Sequence, residues 1–162
     1  MRKIIFLVFS IFSLSAHATS LKNENNLSWL LNNYDKVEET VSRDKSYELI
    51  PVTNTLVEIW YHRDGATTAE VSIPIIMALI HHPDIMLPML ADNPDSFDRW
   101  LSQFNGIVFM DFSGESFDEL TSLKVQLAES MSSFSQRSDN QLKPFVNKLL
   151  KQLEVTEVRT VN

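Results

Sequence analysis

The chain has no cysteine. That excludes disulfides, a thiolate nucleophile, cysteine-ligated metal and the cysteine on which a diacylglycerol anchor is built. Glycine is almost as scarce, with only Gly65, Gly106 and Gly114 in 162 residues. A phosphate-cradling loop, a dinucleotide fingerprint and a G-x-S-x-G nucleophile elbow all need clustered glycines, and none of these patterns occurs. Long apolar runs are missing from the middle of the chain as well. The greasiest stretch there, PIIMALIHHPDIMLPML from Pro74 to Leu90, is cut by three prolines and two histidines. Its uninterrupted pieces fall far short of the about 20 residues that cross a bilayer. Positive charge is also in deficit, with 14 Lys and Arg against 21 Asp and Glu.

The first residues predict an address. Met1-Arg2-Lys3 is a short basic region, Ile4 to Leu14 is apolar, and Ala16 and Ala18 occupy the two positions a signal peptidase reads. We expect a secretory signal peptide over 1–18, a mature chain from Thr19, and a periplasmic location. Removing 18 of the 162 residues leaves 144, a usual size for one domain. Removing Arg2 and Lys3 leaves 12 basic residues against 21 acidic ones, a formal charge of −9 rather than −7. Such a chain is a poor match for nucleic acid or anionic lipid and suits a basic protein partner.

Periodicity predicts helices throughout. Leu27, Leu30, Leu31, Tyr34, Val37 and Val41 form one apolar stripe over about 26–43. Pro51 reads as the first residue of a second helix, with Val52, Leu56, Ile59 and Trp60 inward and Gly65 as its left-handed stop. Thr67-x-x-Glu70 reads as a capping box, and Pro74 as a kink or restart soon after it. His82-Pro83 and Asn93-Pro94 each read as cap plus first helical residue, and Pro88 as a bend. GIVFMDF (106–112) fits strand or helix, and we read helix because no partner strand is evident. Ser116-x-x-Glu119 opens a long helix with Phe117, Leu120, Lys124, Leu127, Met131 and Phe134 on one face, Lys124 being the odd member. A polar linker over 132–140, a last helix over about 144–153 and a loose tail from about 155 follow. No repeat recurs at a fixed spacing. The expected fold is all-α: a single-domain bundle of six to eight helices, several short and X-Pro-initiated.

The chemistry on offer is thin. His81 and His82 are adjacent, so on a helix they diverge by about 100°, whereas a helical metal site prefers i, i+4 spacing. Asp84 and His62 complete a metal site only if the fold gathers them. Three mature histidines also offer a pH response near about 6.5. Glu115, Asp118 and Glu119 suit a helix N-terminus without any catalytic role. Asp111, between Met110 and Phe112, is the one acid in a strongly apolar setting. Ser113 lies in SGES, which lacks nucleophile-elbow context. Met77, Met86 and Met89 fit core packing or a methionine-lined pocket.

No cofactor is called for. The reading is a soluble, non-enzymatic, protein-binding protein of the periplasm that uses two polar turns: His62, Arg63 and Asp64, and Ser113 and Glu115. In outline (signal peptide, small size, helical content) the chain resembles the type VI secretion amidase immunity proteins, without a shared motif. That resemblance implies an inhibitor or immunity protein against a cell-wall-degrading toxin. The alternative is a metal-binding or small-ligand carrier using His81, His82, Asp84 and the nearby methionines.

Overall fold

The computed structural model describes residues 25–43 and 47–161. The expected signal peptide lies outside the described residues. Eight α-helices are seen among them: α1 (25–32), α2 (Tyr34–Ser42), α3 (Leu49–His62), α4 (Gly65–His81), α5 (Pro83–Ala91), α6 (Pro94–Ser102), α7 (Phe117–Arg137) and α8 (Lys143–Val155). A π-helical turn, Phe104–Val108, follows α6, and two short strands, β1 (Met110–Asp111) and β2 (Arg159–Thr160), pair in parallel. The chain is thus the all-α bundle that the periodicity predicts.

The centre is α4. Val71, Ile75, Ile76, Ala78 and Leu79 are buried on it, together with Thr67, Thr68, Ser72 and Pro74. A helix apolar on most sides must be covered on most sides, and α2, α3, α5, α7 and the π turn all pack on it. That cover explains why Pro74 does not break it. The missing N–H costs Glu70 its i+4 donor, worth about 3 kcal/mol with the ring clash. Glu70 is exposed, however, so water can reach it, and the surrounding helices keep the segment helical from Gly65 to His81. Pro88 likewise sits on the exposed side within α5 rather than ending it. Pro51 is the third residue of α3, still within the first turn, where backbone N–H groups have no helical partner anyway.

Two X-Pro starts appear as expected. Pro83 opens α5 after His82, and Pro94 opens α6 with the Asn93 side chain accepting from Ser96 N at 2.9 Å. The α3–α4 joint differs. Gly65 is the first residue of α4, not a left-handed stop, and the cap is Asp64, whose carboxylate accepts from Thr67 N at 2.9 Å. The cap thus lies three residues before the expected capping box.

Aromatic rings fill the space between α3, α6 and the π turn. Trp100 meets Trp60, Phe97 and Phe104 at centroid distances of 6.5, 6.1 and 4.9 Å. Trp100 Nε1 donates to Ser72 Oγ at 2.9 Å inside the core, and Ser72 in turn donates to the Thr68 carbonyl at 2.6 Å.

The segment after α6 corrects two expectations. GIVFMDF is neither one helix nor a free strand: the π turn ends at Val108, and Met110–Asp111 pairs with Arg159–Thr160. The partner strand is the tail that was expected to be loose. Arg159 N donates to Phe109 O at 3.2 Å and Val161 N to Asp111 O at 3.1 Å, while Asn105 receives Glu157 N at 2.9 Å. Thr156 is buried. The 132–140 linker shrinks too, because buried Met131 and Phe134 carry α7 on to Arg137.

Replacing Ser72 with Ala leaves the indole N–H of Trp100 without an acceptor in the core. The expected cost is about 1–3 kcal/mol, read as a lowered denaturant midpoint at unchanged m-value. An unaltered midpoint would show that the bond contributes nothing.

Candidate functional site

The two polar turns are built for folding more than for display. Arg63 is only 4% exposed. Its guanidinium donates to the Trp60 carbonyl and, at 2.8 Å, to Ser96 O, and lies 4.7 Å above the Trp60 ring. It therefore ties the end of α3 to α6. Burial, with Arg99 nearby, pushes its pKa down to about 10, which still leaves it charged at neutral pH. Arg63 is thus removed from the expected contact set: it is buried against the Trp60 ring at the end of α3 and bonded across to α6. Asp64 spends its carboxylate on the α4 cap. Hydrogen bonds from the Thr67 N–H and side chain hold its pKa below the ordinary value. His62 remains at the surface, 3.6 Å from Glu58 and edge-on to Tyr61.

The second turn hangs on Asp111, which is 1% exposed. Its Oδ1 accepts from Ser113 N (3.1 Å), Ser113 Oγ (2.9 Å) and Gly114 N (2.8 Å), and Oδ2 from Thr160 Oγ1 (3.4 Å). Burial pushes this carboxyl up. Hydrogen bonds from the Ser113 side chain and from the Gly114, Ser116 and Ser113 N–H groups more than offset that, leaving the pKa below its usual value. Gly114 supplies the positive φ, 77°, that the turn needs. Ser113 Oγ also accepts from Glu115 N at 3.1 Å. Asp111 thus holds the turn together from inside, while Ser113 and Glu115 are both exposed.

The histidine pair separates as its adjacency demands. His82, 6% exposed, is buried where α4 meets α5, and its Nε2 has no hydrogen-bond partner. His81 and Asp84 are exposed. The two rings lie 6.4 Å apart, tilted by 50°. Among the described residues, no three His, Asp or Glu side chains are grouped to hold a metal ion.

His81 instead lines a cavity of about 500 Å³ between α2, α4 and α7. Its floor is Ile73, Met77, Ile80, Leu120 and Leu123, and its polar lining includes Tyr34, Glu38 and Glu119. Burial, then Glu38, Glu70 and Glu119, pushes the Tyr34 phenol well above its ordinary pKa. Burial, Glu119 and Asp35 raise Glu38. Among the described residues, no Lys or Arg lines this cavity.

A second and larger concavity, about 670 Å³, runs between α7, α8 and the tail. On α7 its floor is Phe117, Thr121, Val125, Ala128 and Ser132; on α8 it is Leu150 and Leu153, and Val158 closes one side. Phe117 and Val125 are 44% and 51% exposed. Glu129, Glu154 and Glu157 stand at its rim. Glu157 is paired with Arg159 at 2.6 Å. Lys124, the one basic lining residue among those described, donates its ammonium to the Thr156 carbonyl. The single stripe expected for α7 is therefore two: Leu120, Leu127, Met131 and Phe134 face the core, while Phe117 faces out. Lys124, out of place in the expected stripe, was the signal that a second face exists.

Comparison with known proteins brings no relative to bear: no protein-family model, curated protein or solved structure matches the chain.

Two outcomes follow. Arg63→Ala should destabilise the fold by about 2–4 kcal/mol, through lost charge-assisted hydrogen bonds and packing; a melting temperature within error of the parent would restore Arg63 to the surface. Glu38 has a raised folded-state pKa, so the folded protein binds the extra proton between 4.5 and that value. Its penalty is present above this window and vanishes as pH falls through it. Glu38→Gln should therefore stabilise at pH 7 and make no difference at about pH 4, in paired thermal melts.

Proposed function

We propose that the chain is a non-enzymatic binding protein for a basic protein partner, and that the partner docks in the groove between α7, α8 and the tail. The observation that carries this is the pairing of an open apolar floor with an acidic rim. Exposed Phe117 and Val125 share one concave surface, and Glu129, Glu154 and Glu157 border it. Desolvated apolar anchors supply affinity at such surfaces, and rim charges supply steering and partner choice. The acids and serine most suggestive of catalysis support the same reading, since Asp111 and Ser113 hold a turn shut. With the expected secretory signal, the reading suits a periplasmic inhibitor or immunity protein whose target is a cell-wall-degrading toxin.

A second reading rests on the α2–α4–α7 cavity. Its apolar floor and uncompensated carboxylates fit a small organic cation with an apolar body, rather than the metal first expected from His81, His82 and Asp84. An alkylammonium probe should raise the melting temperature of the parent and not that of Glu119→Gln.

For the leading reading, the purified protein is immobilised and exposed to extract at about 50 mM and about 300 mM salt. A discrete basic protein should be retained at low salt, and retention should drop at least about tenfold in Val125→Glu. Equal retention by that variant, or none by the parent, refutes the assignment.

A further inference from the structure

Resting on that reading, we infer that the occupant of the groove is an amphipathic α-helix whose apolar stripe is flanked on both sides by Lys or Arg.

The floor has the shape of a helix seat. The α7 residues that form it, Phe117, Thr121, Val125, Ala128 and Ser132, recur at steps of four, four, three and four. That is one straight face of a helix over four turns. At 1.5 Å per residue it extends about 22 Å, the length of a guest of about 15 residues. Ala128, Ser132 and Thr121 are short, so a guest backbone can come within the 8–10 Å axis separation of packed helices. Leu150 and Leu153 on α8 form the opposite wall. A helix laid here becomes a third member beside α7 and α8 and buries Phe117 and Val125, which are half exposed without it.

The charge on the walls selects the guest. Glu129 stands on the α7 side, and Glu154 and Glu157 on the α8 side. Glu129 and Glu154 have no ion-pair partner among the described residues. The one cation lining the groove among the described residues, Lys124, is occupied by the Thr156 carbonyl. A guest with basic residues on both flanks meets an acid on each side. A second copy of this chain would bring the same acids against themselves, in a molecule already carrying excess negative charge. An extended peptide of about seven residues would span the same length, but its alternating side chains would turn every second one away from the floor.

The test uses three synthetic peptides of about 16 residues. One has leucines at helical spacing with lysine flanks, one has the same composition scrambled, and one has glutamate flanks. Each is titrated into the purified full chain, with fluorescence anisotropy reporting affinity and circular dichroism reporting peptide helicity. The lysine-flanked peptide should bind at least about tenfold tighter than the other two and gain helicity on binding. Val125→Glu and the double reversal Glu129→Lys, Glu154→Lys should each weaken it by at least about tenfold, with the protein's own melting curve unchanged. Both variants change surface positions, so a loss cannot be ascribed to unfolding once the melts agree. Equal binding of the scrambled peptide, or a bound peptide without helicity, overturns the inference. So does a concentration-dependent dimer that Val125→Glu abolishes. If no peptide binds while Val125→Glu still loses the captured partner, the helix assignment falls and the groove reading stands.

Discussion

The middle of α4 is closed off from water. From Val71 to Leu79 nearly every side chain is buried, and Pro74 sits among them. The remaining helices are placed by the need to cover this one element. The X-Pro junctions at Pro83 and Pro94 turn α5 and α6 back around it, α2 and α3 close another side, and α7 lies along a third. Polar groups that enter this shell are satisfied within it, as in the run from Trp100 to Ser72 to the Thr68 carbonyl. With one side of α7 spent on α4, its other side is left for α8 and the open groove.

What could be read from sequence follows from what is local. Caps at Asn93 and first-turn prolines at Pro83 and Pro94 act within four residues, and they appear where spacing places them. Pro74 and Pro88 lie inside unbroken helices because propensity is weighed against packing, and packing is non-local. The strand at Met110–Asp111 was invisible for the same reason: its partner lies about fifty residues on, in a segment that looks like any frayed tail. Among candidate site residues, His62, Asp64, Ser113 and Glu115 are at the surface. Arg63 has withdrawn, because polar residues in a joint between helices also mark the groups that tie helix ends together. The groove itself had one trace, Lys124 in an otherwise apolar stripe.

Charge in this molecule is sorted by role. Acids that accept several hydrogen bonds, such as Asp64 and Asp111, shape turns and are held ionised by them. Acids that crowd one another, such as Glu38 with Glu119, weaken the fold and are retained at the edge of a cavity. Acids at the groove rim leave most of their field for whatever arrives. The net charge of the chain thus says less than its distribution does.

The groove also has a place in time. One of its walls is built from Thr156, Glu157 and Val158; Lys124 and Asn105 bond to the first two, and the Phe109 carbonyl accepts from Arg159 N just after them, all three partners being made much earlier by the ribosome. Contacts of such long sequence separation form late, because a large loop must close first. A chain with α7 and α8 already paired but this segment still undocked would present only half a seat. If the groove is the docking surface proposed above, a guest meets a complete seat only once this segment has docked.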